Sequence, residues 1–117
     1  MTKKILLLDD DLLSLEFMRI FLEEKGFQVY TANTCRSARE IFLSKKPSIV
    51  VIDVELNNES GVEFANYVQG VSDVKVILAS GHSPEFLSNF GLSSALLDGM
   101  LTKPLELSNL IDAVGSA

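Results

Sequence analysis

Short apolar runs that stop abruptly at a charged or hydroxyl-bearing residue constrain this chain more than any other feature. Ile5-Leu6-Leu7-Leu8 stops at Asp9-Asp10-Asp11, Ile49-Val50-Val51-Ile52 at Asp53, and Val76-Ile77-Leu78-Ala79 at Ser80-Gly81. A shorter segment, Met100-Leu101-Thr102, stops at Lys103-Pro104. Apolar runs of this length, separated by helix-patterned stretches, read as buried parallel strands. Ligands of an open α/β sheet bind beyond the carboxyl ends of its strands. Carboxylates, a hydroxyl and an ammonium are therefore expected to meet at one sheet edge. That inventory suits a divalent cation and a phosphoryl group.

The intervening segments carry helix and turn signals. Residues 4–8 read as the first strand and 12–25 as a helix stopped at Gly26. Residues 27–31 alternate and read as a second strand. Thr34 is placed to cap a helix that runs to about Lys45 and is closed by Pro47. Residues 48–53 form the third strand, followed by a loop at Asn57-Asn58-Glu59-Ser60-Gly61. A helix is expected from Val62 to Gln69, ended by Gly70, and a fourth strand over 74–79. Ser83-Pro84-Glu85 reads as a helix start, because serine caps, proline fits the first turn and glutamate favours the positive end of the dipole. That helix fades near Gly91. Residues 99–102 form a short fifth strand and 105–114 a last helix, with Gly115-Ser116-Ala117 beyond it. The pattern is βα repeated five times, and right-handed crossovers put helices on both faces of the sheet.

The first helix has more apolar residues than one face needs. Leu15-Met18-Leu22 is one stripe able to face the sheet, and Leu13-Phe17-Phe21 is a second. The sequence leaves the choice of buried stripe open.

A length of 117 residues suits a single α/β domain over 1–117 with its own core. The net charge of −6 argues against direct nucleic-acid binding and against anionic membranes, which need a basic footprint. No stretch is long enough to span a membrane. Lys3-Lys4 precede only four apolar residues, too few for a signal peptide. Cys35 is the one cysteine, so no intrachain disulfide forms, and it reads as a small packing residue. A reducing, cytoplasmic setting is expected.

Asp9, Asp10 and Asp53 carry the chemistry. If the first and third strands are neighbours, their carboxylates crowd one another. Two unit charges about 4 Å apart repel by about 1 kcal/mol in bulk water and about 4 kcal/mol near a protein surface. The cluster needs a proton or a cation. Hard oxygen ligands with room for water suit Mg2+, with Mn2+ a close substitute. Aspartate is a known nucleophile for phosphoryl transfer. Lys103 supplies a mobile positive charge, Ser80 a hydroxyl donor, and Gly81 an open approach. Asp11 reads only as a helix cap.

These motifs, in this order and spacing, resemble a response-regulator receiver domain over nearly the whole chain. The resemblance rests on Ile5 to Asp11, Ile49 to Asp53, Gly61, Ile77 to Gly81 and Leu101 to Pro104. It implies a flavodoxin-like five-stranded sheet in 2-1-3-4-5 order. It implies that Asp53 accepts phosphate from a phosphohistidine on a histidine kinase or histidine phosphotransfer protein. It implies Mg2+ held by the Asp10 and Asp53 carboxylates and the Glu55 backbone carbonyl, with Asp9 reaching it through water. Ser80 and Lys103 would grip the phosphoryl group, and the Lys103-Pro104 peptide is often cis in the family.

The chain departs from the family at two places. Leu56-Asn57 stands where Met-Pro is common, and losing the proline should loosen the loop. Met100 stands where many receivers carry an aromatic rotamer switch. It is either a softer switch, or the domain signals little through that face. Glu55 and His82 lie two residues beyond Asp53 and Ser80, where the family tunes how fast water removes the phosphate. For His82 the plainer reading is an exposed residue before a helix cap. The family's phosphodonor helices dock beside the first helix, and pairing of two copies through the fourth and fifth helices is common. Two rival readings remain: a degenerate receiver acting as a phosphorylation-independent scaffold, and a small Mg2+-dependent aspartyl phosphohydrolase. The phosphohydrolase normally carries aspartate where this chain has Glu55.

Overall fold

The computed structural model describes residues 2–71 and 73–115. Residues 1, 72, 116 and 117 of the expected domain lie outside the described residues. Strands β1 (Lys4–Leu8), β2 (Gln28–Ala32), β3 (Ile49–Asp53), β4 (Lys75–Ser80) and β5 (Leu101–Thr102) form one parallel sheet. Their order is β2-β1-β3-β4-β5, as expected. Leu8 is level with both Ala32 and Ile52, Asp53 with Ala79, and Ser80 with Thr102. The register therefore brings the carboxyl ends of β1, β3, β4 and β5 to one edge.

Alternation along each strand divides the core in two. Leu6, Leu8, Val50, Ile52 and Leu78 pack with residues of α2 (Cys35–Lys45), α3 (Gly61–Val71), α4 (Pro84–Leu87) and α5 (Ser94–Asp98). Ile5, Leu7, Ile49, Val51 and Ile77 pack with α1 (Leu12–Glu24) and α6 (Leu107–Gly115). Each fully buried aliphatic side chain contributes about 1.5–3 kcal/mol, so the strand runs anchor the sheet edge firmly. On α1 the buried stripe is Leu15, Met18 and Leu22, whereas Leu12, Leu13, Phe17 and Ile20 are exposed. Among the described residues, no helix is long and apolar enough to cross a membrane.

Local signals explain most element ends. The Asp11 carboxylate accepts the N–H groups of Leu13 and Ser14 at the start of α1. Gly26 takes a left-handed φ of 95° just past the end of that helix. Thr34 caps α2 through the Ser37 N–H, and Ser83 caps α4 through the Phe86 N–H. Gly61 is required by packing: a Cβ there would lie 2.4 Å from the Asp53 carbonyl oxygen.

Several boundaries differ from the sequence reading. β2 begins at Gln28, because the Phe27 N–H is bound to the Leu22 carbonyl at the end of α1. α2, by contrast, ends at Lys45 as expected, capped by Lys46 in a left-handed conformation just before Pro47. α3 runs through Gly70 to Val71, and α6 starts at Leu107. The largest correction concerns the fourth crossover, which holds two short helices. A 3-10 turn (Ser88–Phe90) follows α4, and Gly91 at φ 80° breaks the run. Ser93 then caps α5 through the Leu96 N–H. Gly99 ends α5, and the Met100 N–H returns to the Leu97 carbonyl, which shortens β5 to two residues.

Candidate functional site

The three aspartates meet at the end of the sheet. Asp9, Asp10 and Asp53 each offer a carboxylate oxygen, and these oxygens lie within 4.8 Å of one another. Asp9 follows β1 directly, and its N–H donates to the Ala32 carbonyl of β2 at 3.2 Å. Its Oδ1 accepts the Asp11 N–H at 2.9 Å. Burial, followed by the neighbouring Asp53 carboxylate, pushes the Asp9 carboxyl up to about 6, against the pull of the Asp11 N–H and Lys103. Asp10 Oδ2 accepts the Asn57 N–H at 2.7 Å. Asp53 is 4% exposed, and its Oδ1 accepts from Lys103 Nζ at 2.7 Å and from the Glu55 N–H at 3.0 Å.

Lys103 is held from behind. Its N–H donates to the Ser80 carbonyl at 2.9 Å, and a cis peptide joins it to Pro104. Partial burial opposes the ammonium charge. The hydrogen bond to Asp53 and the charges of Asp53, Glu55 and Asp9 outweigh it, so the Lys103 pKa lies above its ordinary value. The chemistry of the donor set fits Mg2+: carboxylate oxygens, clustered closely, opening on a cleft that is also lined by Ser14, Phe17 and Pro104.

The hydroxyl side of the site is occupied by Glu55. Ser80 is fully buried, and its hydroxyl donates to Glu55 Oε2 while accepting the His82 N–H at 2.9 Å. Glu55 Oε1 accepts the Gly81 N–H at 2.8 Å and lies 3.7 Å from Lys103 Nζ. His82 reaches Ser80 through its backbone only, and its exposed ring stacks on Phe86 with centroids 4.5 Å apart. Met100 is partly buried against the α2–α5 side of the core.

Residues 5–115 match the sequence profile of the response regulator receiver domain. The chain belongs to that family. Solved receiver structures share its fold. A CheY-like receiver domain protein from Methanospirillum hungatei superposes with a TM-score of 0.87 at 24% identity, covering 99% of this chain and 93% of that one. The chemotaxis response regulator CheY4 of Vibrio cholerae gives 0.86 at 22%, covering 99% and 98%. A two-component response regulator from Clostridium difficile gives 0.86 at 24%, covering 98% and 94%. Receivers are signalling domains of two-component systems; they typically take phosphate from histidine kinases and bind Mg2+ at an acidic pocket.

Three features of this receiver escaped the sequence reading. Asn57 stands at the position of the usual proline, and its N–H, which proline lacks, ties the loop to Asp10. Glu59 ties the same loop to α2 by accepting the Cys35 N–H. The Glu55 contacts to Ser80 and Gly81 were also unforeseen. An acid two residues past a strand-end aspartate was the available signal, but its direction depends on how the loop turns towards β4.

Proposed function

We propose that this receiver accepts a phosphoryl group from a phosphohistidine partner, a histidine kinase or a histidine phosphotransfer protein, onto Asp53. The whole of residues 1–117 would act as one unit in a cytoplasmic signalling or relay step rather than as a turnover enzyme. The observation that carries this reading is the buried Asp53 carboxylate, 2.7 Å from Lys103 Nζ and clustered with Asp9 and Asp10.

The chemistry follows from the same groups. Two N–H donors occupy Asp53 Oδ1, which leaves Oδ2 as the nucleophile. Its bond to phosphorus forms as the phosphorus–nitrogen bond of phosphohistidine breaks, and the bonding pair returns to the imidazole nitrogen. The Asp10 and Asp53 carboxylates and the Glu55 carbonyl would hold Mg2+, with Asp9 acting through water; Mn2+ would substitute. When bound, the cation neutralises charge on the phosphoryl oxygens. Lys103 and the Ser80 hydroxyl would bind the transferred oxygens, and Gly81 leaves them room. Glu55 would tune how fast water removes the phosphoryl group; for His82, whose ring stacks on Phe86, such tuning is the weaker reading.

Intact mass after incubation with acetyl phosphate and Mg2+ tests the reading. The wild type should gain one phosphoryl group, dependent on Mg2+, and Asp53→Asn should gain none. No adduct under fast quench would favour the phosphorylation-independent scaffold.

A further inference from the structure

The Glu55 carboxylate touches the groups expected to bind a phosphoryl group. Ser80 Oγ donates to one of its oxygens, the Gly81 N–H to the other at 2.8 Å, and Lys103 Nζ lies 3.7 Å away. A hydroxyl, a backbone N–H and an ammonium around one anion make a complete anion subsite. Glu55 reaches it from the loop between β3 and α3, whose other side is tied down through the Asn57 N–H on Asp10. The Ser80 hydroxyl already faces the site, fixed between Glu55 and the His82 N–H. Both partners hold it in this orientation.

We propose that Glu55 is an internal anion that fills the phosphoryl-binding subsite of the unphosphorylated receiver, and that an incoming phosphoryl group displaces it. The moving part is then the Glu55 side chain, swinging out of a loop that stays tied through Asn57 and Glu59, with Ser80 standing still. This accords with Met100, which offers no aromatic ring to follow a turning hydroxyl. The proposal rests on the receiver reading above and adds a cost: the site is open to phosphate only for the fraction of time that Glu55 is out. A ligand that needs a minor state binds more weakly by that fraction. If Glu55 is in place about 80–90% of the time, removing it should strengthen binding about 5- to 10-fold.

The test uses beryllofluoride, an inorganic phosphoryl analogue, titrated with Mg2+ into the wild type, Glu55→Ala and Glu55→Asp. Binding is read from amide NMR shifts, and phosphorylation by acetyl phosphate is timed in parallel. Glu55→Asp keeps the charge on a side chain one methylene shorter, which withdraws it from Ser80 and Gly81. Both variants should bind the analogue about 5- to 10-fold more tightly and phosphorylate faster by a similar factor. The Gly81 amide should shift in both variants before any ligand is added, because its carboxylate acceptor is gone. In the wild type, amides of 54–60 should shift on binding.

Unchanged affinity in Glu55→Ala would overturn the proposal. So would an effect in Glu55→Ala that Glu55→Asp lacks, since that pattern means simple charge repulsion. A wild type that takes up neither the analogue nor phosphate would remove the receiver reading itself, a failure distinguishable from the other two.

Discussion

Asp9 shows how one residue links stability to ligand binding. Its carboxyl is raised from 3.8 to about 6, first by burial and then by Asp53. The folded state therefore holds this proton more tightly than the unfolded chain does. Below about pH 4 both states are protonated, and Asp9 costs nothing. Between about pH 4 and 6 the unfolded chain ionises first, so stability falls as pH rises, and the cost persists at pH 7. Two pH units correspond to about 2.7 kcal/mol, which solvent at the pocket mouth reduces to about 1 kcal/mol. Without Mg2+, Asp9→Asn should raise urea stability by about 1 kcal/mol at pH 7 and change little at pH 4. Equal effects at both pH values would show that the gain comes from packing. With Mg2+ the advantage at pH 7 should shrink, because the wild-type carboxylate then faces a cation. A charge retained at a cost to the fold fits the cation-facing role proposed for Asp9.

At the scale of elements, α3 carries two glycines with opposite roles. A Cβ on Gly61 would lie 2.4 Å from the Asp53 carbonyl oxygen and 2.9 Å from Val54 Cα, so backbone must move to admit it. Gly61→Ala should cost about 1–3 kcal/mol in urea unfolding. A Cβ on Gly70 meets nothing within 4 Å, and Gly70→Ala should stabilise by about 0.5–1 kcal/mol. Two losses of similar size would refute the packing account. The same contrast explains what the sequence made legible. Strands were readable because continuous apolar runs need burial on both faces. The caps at Asp11, Thr34 and Ser83 were readable because each precedes a helix pattern with a short polar side chain. Gly70 misled as a helix stop, since a glycine inside a helix costs too little to end one held by Phe64, Ala65 and Val68. The helix over Ser94–Asp98 is shorter than two turns and has no periodicity to detect. Its signal was the Ser93 cap alone.

At the scale of the whole molecule, a parallel sheet collects its strand ends, so four distant segments became one site by topology. That is why Asp9, Asp10, Asp53 and Lys103 could be brought together from sequence. Glu55 could be named but not aimed, because its contacts cross from the β3–α3 loop to β4. The α1 helix raises a similar question of direction. Its inner stripe fills the core beneath the acidic cluster; of its outer stripe Phe21 packs partly against that core, while Leu13 and Phe17 are 67% and 61% exposed. Phe17 also lines the cleft that holds Asp9, Asp53 and Lys103. A phosphohistidine donor docked at this rim would contact Phe17, whereas acetyl phosphate needs only the cleft. Phe17→Ser should therefore slow phosphorylation by a histidine phosphotransfer protein about 10-fold, the effect of about 1.4 kcal/mol of lost apolar contact. It should leave the acetyl phosphate rate within about twofold and urea stability within about 0.5 kcal/mol. Equal slowing with both donors would mean that Phe17 shapes the cleft itself. Loss with the protein donor alone would assign the exposed side of α1 to recognition, leaving its buried side to the fold.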